Sequence, residues 1–144
     1  MNKDNPAFVM SMKSRDFVAN HDRDGWLGMF AENGIIEDPI GPSMLDPEGR
    51  GHSTPEAREI FYDSNIANSQ IEYILHASHT SHLECANIVT LNVTIAMGDK
   101  KYLQRVDGVF TYSVNEEGKL TSLRGFWEFD EGLATLREIE AEAG

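Results

Sequence analysis

The feature that most constrains this chain is a change of hydrophobic period near residue 70. Ile71, Tyr73 and Leu75 alternate, as do Val89, Leu91, Val93 and Ile95; Val106, Phe110 and Tyr112 follow, then Leu123, Trp127 and Phe129. Spacing in steps of two marks half-buried strands, because successive side chains leave opposite faces of the pleat. Turn residues at 97–100 and 115–118 separate these runs, so the strands are expected to form an antiparallel meander. Its opposite face carries Thr90, Asn92, Thr94, Val109 and Thr111, a mixture suited neither to water nor to a core. That face is expected to meet a second copy, giving a homodimer.

Before residue 70 the period is helical. Asn5 followed by Pro6 reads as an N-cap with proline in the first turn, opening a helix to about Asn20 in which Met10, Ser14 and Phe17 share a face. Asp22 is expected to cap a second helix with Trp26, Leu27 and Phe30 on its apolar side, stopped by Asn33 and Gly34. A third starts at Ser53, Thr54, Pro55 and Glu56 and buries Ala57, Ile60, Phe61 and Ser64, with Tyr62 at the border. The tail from about 131 to 143 has helical spacing at Leu133, Leu136, Ile139 and Ala143. Helices segregated before a meander predict an α+β fold: a cone-shaped α+β barrel, with a curved, mostly antiparallel sheet wrapped around three helices of the N-terminal half. The 144 residues are expected to form a single domain, 1–144, whose open mouth is the natural ligand site.

Charge narrows the partners. Twelve basic against twenty-four acidic residues give a net charge of −12, which repels nucleic acid and anionic membrane surfaces. Cys85 is the lone cysteine, and no stretch has the length of a membrane span or the apolar run of a signal peptide, so a cytoplasmic location is expected. No glycine loop suited to phosphate occurs, and no cofactor is expected. His76, His79 and His82 are spaced in threes, which strand geometry would scatter, so no metal site is expected either.

The chemistry-bearing stretch is 35–41, reading Ile-Ile-Glu-Asp-Pro-Ile-Gly. A short strand ending here places Ile36 and Asp38 on one face, carrying the Asp38 carboxylate inward. An inward carboxylate costs several kcal/mol to desolvate unless paired or neutralised, which makes it a candidate base. The alternative is that Asp38 caps the turn at Pro39.

These residues, in order, carry a family resemblance: Asp24, Trp26, Leu27 and Phe30, then Glu37, Asp38, Pro39, Ile40 and Gly41, then Phe61 and Tyr62, Gly118 and Lys119, and Phe126 and Trp127. Over roughly residues 8–130 the chain resembles the ketosteroid isomerases of the nuclear-transport-factor-2-like, or SnoaL-like, superfamily. The resemblance implies that Asp38 is the general base of a steroid Δ-isomerase-like reaction on a steroid or similar polycyclic enone. It also implies a tyrosine on the first helix and a protonated acid on the penultimate strand. Ungapped counting puts Ser14 and Phe110 at those places, and Asp107 could substitute only through a bulge. Tyr62 matches a tyrosine that supports the missing one. Phe30, Phe110, Tyr112 and Trp127 would line the cone around the ligand. A non-catalytic binding protein for a steroid-like molecule stays open, as does another SnoaL-like lyase, cyclase or epoxide hydrolase, the last needing an Asp, Arg, Asp cluster for which Arg105 and Asp107 have the right types.

Overall fold

A computed structural model describes residues 2–139. Three helices precede most of the sheet: α1 Pro6–Ala19, α2 Arg23–Leu27 and α3 Pro55–Asn65. Each starts at the cap its sequence provides. The Asn5 side chain accepts from the Ala7 N–H at 2.9 Å, Asp22 from Gly25 at 2.9 Å and Thr54 from Ala57 at 3.1 Å. Such a cap is worth about 1 kcal/mol, and Asn5 does more: its amide donates to the His82 carbonyl at 2.7 Å, tying α1 to the sheet.

The strands are β1 Phe30–Glu37, β2 Ser69–Ser81, β3 Glu84–Met97, β4 Lys100–Val114, β5 Leu120–Phe126 and β6 Arg137–Ile139, with a short helix α4 Phe129–Ala134 between the last two. They lie in the order β1-β5-β4-β3-β2; only β1 and β5 run parallel, and the curved sheet does not close on itself. Strand β4 serves both ends, with residues from Val109 onward pairing β5 and Lys101, Tyr102 and Leu103 pairing β6. Between them β5 has ended, and α4 packs beside that part of β4.

Alternation places the inner face as the sequence predicts. Val89, Val106, Phe110, Tyr112 and Leu123 are buried, and the α+β cone with helices inside is the fold observed. The core centres on Trp26, 2% exposed, whose ring meets Phe30, Phe61 and Tyr62 at centroid separations of 5.0, 6.2 and 5.6 Å. Full burial of an aliphatic or aromatic side chain in such a cluster contributes about 1.5–3 kcal/mol. From α3 the buried Arg58 donates to the Glu32 and Gly34 carbonyls at 3.0 and 2.8 Å, holding β1 against the helix layer.

Local expectations fail in three places. Phe30 begins β1 instead of ending α2, because Gly28 closes that helix after five residues. Ile60 is 63% exposed, and the α3 stripe turns on Arg58, Phe61 and Tyr62 instead. The tail helix begins earlier, at Phe129, and stops at Ala134; Arg137–Ile139 is a strand because the edge of β4 offers unpaired backbone there. The expected helical position of Ala143 lies outside the described residues. No described helix is long and apolar enough to cross a membrane.

Candidate active site

Asp38 follows directly on β1. Its neighbour Ile36 is fully buried, and the carboxylate two residues on points to the same interior. The next peptide, Asp38–Pro39, is cis, and Gly41 at φ +89° completes the turn in a conformation that favours glycine. The Ile40 N–H donates to the Gly125 carbonyl at 3.1 Å, so this turn is pinned to β5. Gly125 is itself a requirement of the site. A Cβ there would stand 2.5 Å from Asp38 Oδ1, 2.9 Å from Trp127 Nε1 and 3.1 Å from Phe110 Cε1. The missing side chain is the space the carboxylate occupies.

Among the described residues one donor reaches Asp38: the Trp127 indole N–H, to Oδ1 at 2.6 Å. Burial raises the Asp38 pKa to about 6, and the indole bond works against that rise by favouring the anion. A carboxyl titrating near neutrality can both take and return a proton, since neither form is strongly preferred. The cavity around it has two parts. A larger chamber of about 390 Å³ is walled by Leu45, Phe61, Leu91, Val106, Trp127 and Phe129 among others, and is predominantly apolar. A smaller recess of about 70 Å³ is lined by Ser14, Arg15, Tyr73, Phe110, Tyr112 and Leu123 among others. Asp38 borders both, as do Phe61, Ile66, Ile71 and Leu91.

Of the residues singled out in the sequence, Asp38, Ser14, Phe110, Tyr112 and Trp127 come together on these chambers. Phe30 and Tyr62 line neither. Both belong to the core stack on Trp26, and the buried Tyr62 hydroxyl has no hydrogen-bond partner among the described residues. Ser14 faces the smaller recess while its oxygen accepts the Trp26 indole N–H at 3.0 Å. Asp107 is excluded from the site. The β3–β4 register runs without a bulge through Thr90↔Asp107, so Asp107 leaves the sheet opposite to Val106. There it accepts from Thr90 at 2.6 Å and Arg105 at 3.0 Å, which hold its pKa below the usual carboxylate range. Arg105 and Asp107, the two residues of the types an epoxide hydrolase's cluster would need, thus stand outside the cone. His76 bonds Thr90 on that same outer face, and no described group of three His, Cys, Asp or Glu residues is arranged to hold a metal.

Sequence reasoning missed Gly125, Tyr73 and Asn87. Tyr73 is visible as an alternating strand residue, but nothing in the alternation says that its hydroxyl meets Tyr112 at 3.2 Å. Asn87 is fully buried on the inner face of β3, and a buried amide among strand residues is the one signal that could have flagged it.

Neither a family model nor a curated protein sequence matches the chain. Solved structures do. Rv0760c from Mycobacterium tuberculosis is 34% identical, with 96% of this chain and 100% of that one covered and a TM-score of 0.81; a structure of Rv0760c with estradiol-17β-hemisuccinate also exists. The Δ5-3-ketosteroid isomerase from Mycobacterium sp. is 34% identical over 94% of this chain and 99% of that one, at a TM-score of 0.82. A computationally designed 17-OHP binder is 33% identical over 94% of this chain and 100% of its own, at 0.83. The chain belongs to the ketosteroid isomerase-like proteins of the nuclear-transport-factor-2-like, or SnoaL-like, superfamily.

Proposed function

We propose that the protein moves a proton between carbons of a flat, apolar enone of the steroid class, with Asp38 as the base. The observation that carries this reading is a carboxyl with its pKa raised to about 6 at the junction of two largely apolar chambers. The carboxylate would take a proton from the carbon between a ketone and an isolated double bond, leaving a dienolate. The same carboxyl would return it two carbons further along, so the double bond moves into conjugation. Nothing is oxidised or reduced, and no cofactor is required. The steroid class is supported by relatives that act on a ketosteroid, bind 17-OHP or hold an estradiol derivative. Double-bond migration in a 3-oxo-Δ5-steroid, followed by the rise of enone absorbance, is the test. Asp38→Asn should lower the rate by about 10²–10⁴, the usual contribution of a positioned general base. An unchanged rate in that variant ends the assignment.

A second reading has its own observation. Ser14 is a short hydroxyl where the family has a tyrosine, its oxygen accepting from Trp26, and Phe110 brings no polar group to the place where the family has an acid. A protein that holds a steroid-like ligand without converting it would show tight binding and no isomerisation at any pH from about 5 to 9, a range spanning the raised carboxyl.

Dimerisation through the outer sheet face belongs to the same proposal. Ile74 and Ile88 are 37% and 43% exposed on that face, and covering them against a second copy removes apolar surface from water. Light scattering on the full chain tests it.

A further inference from the structure

We propose that the paired hydroxyls of Tyr112 and Tyr73 form an oxygen-binding site in the smaller recess, presenting one hydrogen-bond donor to the ketone of a bound enone. The inference deepens the proton-transfer reading and rests on it for its catalytic meaning; as a binding site it stands separately.

The argument is a count of protons. Ser11 Oγ spends its single proton on the Phe8 carbonyl at 2.7 Å, so toward Asn87 it can only accept. That fixes the Asn87 amide: Nδ2 faces Ser11 at 3.0 Å and Tyr73 at 2.9 Å, and both of its protons are used. On the other side Oδ1 accepts from Ser78 at 2.6 Å and Cys85 at 3.1 Å, which agrees with the same orientation. The Tyr73 oxygen therefore receives a proton from Asn87 and keeps its own. Between Tyr73 and Tyr112, 3.2 Å apart, two hydroxyl protons serve one mutual bond. One proton is left over. Either tyrosine can donate across that bond; the orientation proposed is Asn87 to Tyr73 to Tyr112, which leaves the Tyr112 hydroxyl as the spare donor, strengthened by polarisation through each bond behind it.

Placement makes that donor useful. Tyr73, Tyr112 and Asp38 line the same recess, so a base and a donor address one small volume. When Asp38 removes a proton beside a ketone, negative charge collects on the ketone oxygen, where a preoriented donor acts most strongly. Tyr112 is suited to remain the donor: burial foremost, then the neighbouring Tyr73, hold its phenol well above the ordinary range. The scaffold behind the pair is hydrogen-bonded on two sides. It is anchored in α1 through Ser11, and the β2 bulge between Leu75 and Ala77 shifts the strand by one residue, which turns Ser78 inward to Asn87.

The probe is 19-nortestosterone, which carries a single conjugated ketone, observed by the infrared C=O stretch of the bound molecule. In the native protein the stretch should fall relative to the ketone in an apolar solvent. Tyr112→Phe should return it most of the way and weaken binding by about 3–10-fold, the worth of one neutral hydrogen bond, while the 3-deoxy steroid binds the two proteins equally. Tyr73→Phe should keep part of the shift, because Tyr112 retains its proton but loses the polarising chain. The proposal is overturned if the native protein shows no lowered stretch or no binding, if Tyr112→Phe leaves the stretch where it was, or if Ser14→Ala removes it instead. Asp38→Asn separates the two readings: a retained shift with isomerisation absent from native and variant alike removes the base and leaves the oxygen site. Isomerisation that persists with no shift does the reverse.

Discussion

Asp38 and Asp107 are the same residue type on two sides of one sheet system, and their environments make them opposites. Asp107 is exposed, accepts from Thr90 and Arg105, and has its pKa lowered. Asp38 faces an apolar cavity with one indole donor and has its pKa raised to about 6. What separates them is the supply of water and donors, and that decides which carboxyl can handle a proton near neutral pH. The difference follows from strand parity: with β3 and β4 paired in unbroken register, residue 107 cannot share a face with residue 106.

The comparison breaks most sharply at Gly125. Gly125→Ala should drive the Asp38 carboxylate or the Trp127 indole from its place and cut isomerisation by about 100-fold, the loss expected from misplacing a catalytic group by about 1 Å. A rate within a factor of two of native would show that the carboxylate does not need that space. Asp107→Asn should leave the rate untouched.

A sharper form is the pH profile. If the Asp38 carboxylate is the base, the rate should rise as pH passes through about 6 and then level off. Trp127→Phe removes the one group that holds this pKa down, so the inflection should move to higher pH. An unmoved or lowered inflection would assign the titration to another group.

Stability gives the smallest and most symmetrical contrast. A raised carboxyl pKa means the native state binds a proton that the unfolded chain has released, so Asp38 costs stability as pH climbs from about 4 through about 6. Asp38→Asn should thus gain stability against urea at pH 8 and lose that gain at pH 4. Asp107 has the opposite sign. Its contribution is present above the ordinary carboxylate pKa and disappears as pH falls through its lowered one. Because the pair is exposed in the single chain, Asp107→Asn should cost the monomer no more than about 1 kcal/mol at pH 7. Equal responses of the two variants at pH 8 would erase the distinction.

Much of this was legible in the chain. Alternation located the inner faces of β2, β3 and β4, and the caps at Asn5, Asp22 and Thr54 located the helix starts. The inward turn of Asp38 followed from its spacing to Ile36. Periodicity reports only that a residue faces inward, however, and not what it meets there. Phe30 and Tyr62 face inward and belong to the Trp26 stack, whereas Phe110 and Tyr112 face inward and wall the recess. The bulge in β2 leaves no mark in the pattern of apolar residues, and so the approach of Ser78 to Asn87 was invisible. Gly125 was hidden for a related reason: an absent side chain matters through what stands opposite it, here a group 87 positions away (125 − 38).

The position of Asp38 between a roomy vestibule and a much smaller hollow has a consequence for selectivity. If Asp38 is the base proposed above, a rigid molecule with one end seated in the smaller hollow would present to the carboxylate a carbon set by how far that end reaches. Reach would then act as a ruler, so lengthening or shortening the seated end of a guest should change the bond that is attacked before it changes whether the guest is accepted.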